Sequence, residues 1–225
     1  MDLIVHEDRV EQAKALAISV AADINVALAA EGRAAIAVPG GSTPKAFLAA
    51  LAAAPVDWSA VTVMATDERW APPTDERSNE RMIRAAMAAA PIRFLPFWAA
   101  ETTPMEASRA LSDRLAPLAP FASVVMGMGA DMHCASLFPG GDGLEAAMAP
   151  SCETLVLPMT APGAPEPRVT LTMPALAGAD ALRIIISGED KREALDRALA
   201  ERDPAVAPVS AVIRNAGAVE VHWAP

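Results

Sequence analysis

Short, mostly apolar runs of strand length recur along this chain, and segments with helical spacing separate them. Ala34 to Val38, Val61 to Thr66, Ser123 to Met126 and Leu182 to Ser187 carry few polar residues. A strand without a polar face must be covered on both sides, which is the condition met in a parallel sheet lying between two helix layers. The intervening segments supply the cover. Glu7 to Glu31 places Val10, Ala13, Ala17, Val20, Ile24 and Leu28 at helical spacing. Ser42 opens a helix over Thr43 to Ala53, with Pro44 in its first turn, where proline is tolerated. Further helices are expected over Ser78 to Ala89, Pro104 to Leu115 and Lys191 to Ala200, and a short one ending at Ala177. Weaker strands are expected at Leu3 to His6, Arg93 to Trp98, Thr154 to Pro158, Val169 to Thr172 and Ala218 to Trp223. Asp67 to Arg77 reads as a loop, and His6 and His222 fall in expected edge strands. The predicted fold class is α/β: an open, mostly parallel sheet with helices on both faces, residues 1–225 forming one domain.

In such a sheet the loops leaving the strand ends gather at one edge, where ligands bind. Four of them are unusual. Pro39-Gly40-Gly41-Ser42-Thr43-Pro44 joins a strand to a helix; its glycines permit close backbone approach, and the free N–H groups of a first helical turn suit an anion. It has neither the lysine of a Walker loop nor dinucleotide spacing. A tight turn with a serine cap is the plainer alternative. Asp67-Glu68-Arg69-Trp70 puts an acid and an arginine just past a strand, a pair equally compatible with a surface salt bridge. Gly127 to Pro139 holds His133, a group that titrates near neutrality and suits general-base work, with Asp131 two residues before it. Lys191 follows Ser187-Gly188-Glu189-Asp190, and Arg168 heads Val169-Thr170-Leu171-Thr172. A dianionic phosphate needs about two such cations plus backbone donors to offset its desolvation.

Charge narrows the partners. With a net charge of −10, a general affinity for nucleic acid or anionic lipid is not expected. An anionic ligand therefore requires a local basic pocket. Two cysteines, Cys134 and Cys152, make no disulfide framework, and neither a signal sequence nor a run of 18 uninterrupted apolar residues is evident, so a cytoplasmic protein without a membrane span is expected. Asp131, His133 and Cys134 offer metal-ligating atoms, but no second His/Cys cluster completes a site, so no metal is expected. No Gly-x-Ser-x-Gly elbow supports a serine triad.

Taken together, Gly40-Gly41-Ser42-Thr43-Pro44, Thr66-Asp67-Glu68-Arg69-Trp70, Ser78-Asn79, Gly127 to Pro139, Pro167 to Thr172 and Gly188-Glu189-Asp190-Lys191 resemble the 6-phosphogluconolactonase family, in its order, from about residue 5 to 222. The resemblance implies a Rossmann-like sheet shared with glucosamine-6-phosphate deaminase, a small sugar-phosphate substrate and no cofactor. It implies that Gly40, Gly41, Ser42, Thr43, Arg168 and Lys191 hold the phosphate. His133 would activate water, with Asp131, Asp67 and Arg69 completing the reacting end. A monomer is the working expectation. The sequence departs from the family where a glycine is usual between the aspartate and the histidine: here it is Met132, followed after the histidine by Cys134. Glycine there implies torsions that methionine adopts only with strain. The deaminase alternative expects an acidic residue soon after the histidine; this chain has Leu137-Phe138-Pro139-Gly140. A non-catalytic sugar-phosphate sensor is the other alternative, disfavoured by the lack of an attached DNA-binding segment.

Overall fold

The strands of the main sheet lie in the order β1-β10-β9-β6-β2-β3-β5, and every pairing is parallel, in a computed structural model that describes residues 1–161 and 164–225. Along the chain the elements are β1 (Asp2–Val5), α1 (Arg9–Glu31), β2 (Ala34–Val38), α2 (Lys45–Ala52), β3 (Val61–Ala65), β4 (Asp67–Arg69), α3 (Asn79–Ala86), β5 (Arg93–Phe94) and α4 (Pro104–Leu115). They continue with β6 (Ser123–Met126), α5 (Leu144–Met148), β7 (Val156–Ala161), β8 (Ala164–Leu171), α6 (Met173–Ala177), β9 (Leu182–Ser187), α7 (Glu189–Ala200), α8 (Pro208–Asn215) and β10 (Val219–Ala224).

The two-sided burial read from the sequence is met residue by residue. Ile36 and Val38 of β2, with Val61 and Val63 of β3, point into a core shared with α1, α2 and α3. Their neighbours Ala35, Ala37 and Met64 point the other way, into a core shared with α4, α6, α7 and α8. Val124 and Val125 of β6, and Ile184 and Ile185 of β9, divide in the same manner. This period-2 alternation between two apolar layers fixes the register, because a slip of one residue would exchange the layers.

Helix α1 is stopped at both ends by local chemistry. The Asp8 carboxylate accepts from the backbone N–H groups of Val10 and Glu11, and Gly32 ends the helix with φ +69°. Among the described residues α1 is the one helix long and apolar enough to cross a membrane; it lays Leu16, Val20 and Ile24 fully buried against the sheet.

Several elements differ from expectation. Asp67–Arg69, expected as loop, is strand β4; it leaves the main sheet to form a second, antiparallel sheet in the order β4-β8-β7. Strand β8 begins before the expected Val169, and β5 stops at Phe94, two residues before Pro96, which has no N–H to offer a ladder. Helices α5 and α8 were not expected; α5 is short, and α8 lies in a proline-punctuated segment. His222 lies on β10, which has neighbours on both sides, so it is not in an edge strand; β1 is the edge.

Its position has a consequence. His222 is 1% exposed, stacks on His6 with ring centroids 5.2 Å apart, and its Nδ1 lies 3.1 Å from His6 Nε2. Burial pushes the His222 imidazole below its ordinary pKa, the His6 and Arg183 charges press the same way, and Glu220 opposes them. The unfolded chain thus takes up this proton more readily than the folded one, and the stability at stake is present above about pH 6.5 and lost as pH falls below it. Thermal melts should therefore show Tm dropping between pH 7.5 and 5. His222→Gln should flatten that slope, and an equally steep slope in the variant would contradict this assignment.

Candidate active site

Strands β2 and β6 are neighbours, but the chain leaves β2 toward β3 and leaves β6 toward β9, so the connections diverge between them. Such a switch point opens a crevice at the carboxyl ends of the strands. The cleft found there is about 340 Å³, lined by Gly40 to Pro44, Asp67, Arg69, Gly127 to Gly129, His133, Arg168 and Lys191 among others. Of the residues predicted for the site, Asp131 alone does not line it.

The turn from β2 to α2 brings backbone donors to one wall. Gly41 sits at φ +95°, and the N–H groups of Gly41, Ser42 and Thr43 donate to no acceptor among the described residues. Helix α2 starts at Lys45 rather than at the expected Thr43, leaving Ser42 and Thr43 exposed in the turn before it. Gly40 is required for a separate reason: a Cβ there would fall 1.8 Å from Oδ1 of Asn79. Lys191, in the first turn of α7, faces the same cleft with no salt-bridge partner among the described residues. These groups form an electropositive wall of the kind an anion requires.

His133 is held by its own loop. Gly129 N–H donates to the His133 carbonyl at 2.9 Å and Met132 N–H to the Gly129 carbonyl at 3.0 Å, closing a tight turn. Asp131 Oδ1 lies 2.5 Å from His133 Nδ1. An ionised carboxylate can only accept, so Nδ1 carries the proton and Nε2 is left as a base. A Cβ on Gly129 would lie 2.2 Å from both Asp131 Oδ1 and His133 Nδ1, so no other residue fits beneath the pair. Partial burial works against the Asp131 charge, but the His133 charge and hydrogen bonds outweigh it and hold the carboxyl below its ordinary pKa. Met132 stands at φ +67°, the left-handed region that glycine enters freely and methionine enters at a cost of about 1 kcal/mol. Cys134 is fully buried, which pushes its thiol up and leaves it inert as a nucleophile. No group of three or more candidate metal ligands occurs among the described residues.

Strand β4 builds the third wall. Its alternation sends Asp67 and Arg69 to the cleft and Glu68 away from it, into the protein. Register sets Arg69 directly opposite Arg168 on β8. Asp67 is 7% exposed; it accepts from Ser136 Oγ at 2.5 Å and lies 3.8 Å from Arg168 Nη1. Burial lowers the Arg168 pKa, Asp67 and Glu166 counter this, and Arg69 adds to it. The Nε atoms of Arg69 and Arg168 are buried without a partner among the described residues.

Sequence reasoning passed over the groups that brace this wall. Glu68, 1% exposed, accepts from the backbone N–H groups of Arg69, Asn79 and Glu80 and from Ser78 Oγ, tying β4 to the first turn of α3. Desolvation pushes its carboxyl up, and those donors pull it back. Asn79 Nδ2 donates to the Asp67 carbonyl at 2.7 Å. Reading Asp67-Glu68-Arg69 as a strand would have exposed this pattern, since alternate residues then face opposite ways. Ser78, just ahead of α3, caps that helix by accepting from Arg81 N–H.

Fold and cleft together define an α/β scaffold with an electropositive cleft at the strand ends. The chain belongs to the family described as glucosamine-6-phosphate isomerases/6-phosphogluconolactonase, whose model matches residues 7–223. A 6-phosphogluconolactonase of Rhizobium meliloti (strain 1021) is 44% identical over 95% of this chain and 94% of its own length. One from Pseudomonas aeruginosa is 40% identical over 96% of this chain and 91% of its own. The crystal structure of a 6-phosphogluconolactonase from Shewanella baltica OS155 superposes with a TM-score of 0.95 at 28% identity, covering 100% of this chain and 98% of that one.

Because Glu68 meets four donors and glutamine offers only one acceptor oxygen, Glu68→Gln should cost about 2 kcal/mol. At this chain length that lowers Tm by roughly 4–8 °C, measurable by calorimetry. An unchanged Tm would mean that Glu68 does not anchor β4.

Proposed function

We propose that this chain hydrolyses 6-phospho-D-glucono-1,5-lactone to 6-phosphogluconate, the lactone-opening step of the oxidative pentose phosphate pathway, with His133 as general base. The observation that carries the reading is the Asp131–His133 pair, set across one small cleft from the unpaired N–H groups of the Gly41–Thr43 turn. The names of the relatives support the same substrate.

A lactone carbonyl is already electrophilic, so the site must supply a nucleophilic water and a place for the oxyanion. Nε2 of His133 takes a proton from water as the oxygen attacks C1, and Asp131 stabilises the imidazolium that forms. Arg69, or a backbone N–H of the Gly127–Met128 segment, stabilises the developing negative charge. Collapse of the tetrahedral intermediate breaks the bond from C1 to the ring oxygen, which takes the proton back from His133. Gly40, Gly41, Ser42, Thr43, Lys191 and Arg168 hold the distant phosphate, so binding energy is used for positioning. Asp67, buried and bonded to Ser136, orients Arg168 rather than moving a proton itself. The acid expected of a deaminase after the histidine has no counterpart: Leu137 is fully buried and Phe138 packs on the His133 ring.

Freshly generated lactone, assayed with correction for spontaneous hydrolysis, tests the proposal. His133→Ala should lower kcat by about 10²–10⁴-fold with KM little changed. Lys191→Ala should raise KM roughly tenfold or more, the loss of one charge-assisted phosphate contact. A His133→Ala enzyme working at the wild-type rate would remove the base assignment, and faster ammonia release from glucosamine 6-phosphate would replace the substrate.

A further inference from the structure

The base and one of the cleft's cations share a support that touches neither water nor ligand in the reaction as drawn. Phe138 does not line the cleft, yet its ring centroid lies 4.3 Å from that of His133, the planes tilted by 35°. The guanidinium carbon of Arg168 lies 5.2 Å from the same ring. We infer that Phe138 is a positioning residue whose ring sets His133 and Arg168 at a fixed offset from one another, so that a substrate anchored by the cation presents its carbonyl to Nε2. This rests on the lactonase reading of the cleft and extends it to a residue behind the wall.

Neither partner is fully constrained without the ring. Asp131 holds the His133 ring at Nδ1 alone, an attachment about which an imidazole can still swing. Arg168 has Glu166 at one terminal nitrogen at 3.2 Å and Asp67 only at 3.8 Å, and its Nε has no partner among the described residues. An aromatic face restrains both: it packs against the imidazole and attracts a guanidinium over its centre. The ring itself is well anchored. Cys134, Ser136 and Leu137 are fully buried, Leu137 N–H donates to the Cys134 carbonyl, and Gly141 N–H to that of Phe138. Ser136 further pins the turn to both strands of the β4–β8 pair, through its N–H to Thr170 Oγ1 and its hydroxyl to Asp67. Phe138 is therefore a rigid plate on a rigid turn, and small errors of placement are what catalysis tolerates least.

The test separates ring from bulk. Phe138→Leu and Phe138→Met keep an apolar filler but remove the face, whereas Phe138→Tyr keeps it. With lactone as substrate, Leu or Met should lower kcat about ten- to a hundredfold through His133. The same variants should raise KM about three- to tenfold through Arg168. Tyrosine should stay within about threefold of wild type on both. Combined with His133→Ala, Phe138→Leu should cost no further kcat while its effect on KM persists. Melting curves check that each variant is folded; if leucine does not fold, methionine decides. Wild-type turnover tests the lactonase reading separately. Two measurements need no turnover: calorimetric affinity for 6-phosphogluconate, which Leu or Met should weaken about three- to tenfold, and the His133 Cε1–H resonance, which loses the ring-current shift. Leucine matching tyrosine in kcat, KM and affinity, or both failing equally, overturns the inference.

Discussion

Strands β2, β3, β6 and β9 are covered on both faces, and the rest of the molecule follows from that constraint. Two apolar layers fix their register and place helices on both faces, so the loops leaving these parallel strands gather at the carboxyl edge. A polar side chain inside these ladders needs its own partners, as Arg183 has in Asp23 and Glu220. The catalytic candidates gather instead around the carboxyl edge, where the strands give way to loops.

Charge gathers in the cleft against the trend of the chain. A net charge of −10 surrounds a site presenting Arg69, Arg168 and Lys191 together. Burying like charges side by side is costly, and Arg69 does lower the Arg168 pKa. Asp67 and Glu166 offset that repulsion without neutralising it, and two guanidinium nitrogens remain unpartnered. The dianionic substrate proposed above would supply the missing acceptors. Unsatisfied donors are held in place for it, and an acidic exterior does not oppose an anion that meets its cations at short range.

Legibility from sequence followed hydrophobic pattern closely. β2, β6, β9 and α4 lie where periodicity puts them, because burial alone decides those positions. β4 escaped because Asp67-Glu68-Arg69 is charged throughout; it is a strand by virtue of pairing with β8 and of Glu68 capping α3, both tertiary effects with no local signature. His133, Arg168 and Lys191 were legible as chemistry, and the cleft does bring them together. Ser136, Asn79 and Phe138 fell within the quoted motifs but were given no role, since their work is to hold other side chains, and such partners are visible only once the strands are assembled.

Met132 marks the point where local preference and global structure disagree. The torsions that a glycine would take freely are imposed on methionine at φ +67°. They are imposed by what surrounds the residue: the Gly129–His133 and Met132–Gly129 hydrogen bonds on one side, and Val209 N–H reaching the Met132 carbonyl at 3.3 Å on the other. The methionine side chain packs on the apolar core in return, which glycine cannot do. Since Asp131 still meets His133 and His133 still lines the cleft, the strain is absorbed within the turn and does not reach the imidazole. Gly129, by contrast, has no substitute, because the Asp131–His133 pair occupies the space of its missing side chain. Of the two positions where glycine is natural in this loop, one therefore serves backbone ease and can be replaced at a modest cost. The other serves the pose of the base and cannot.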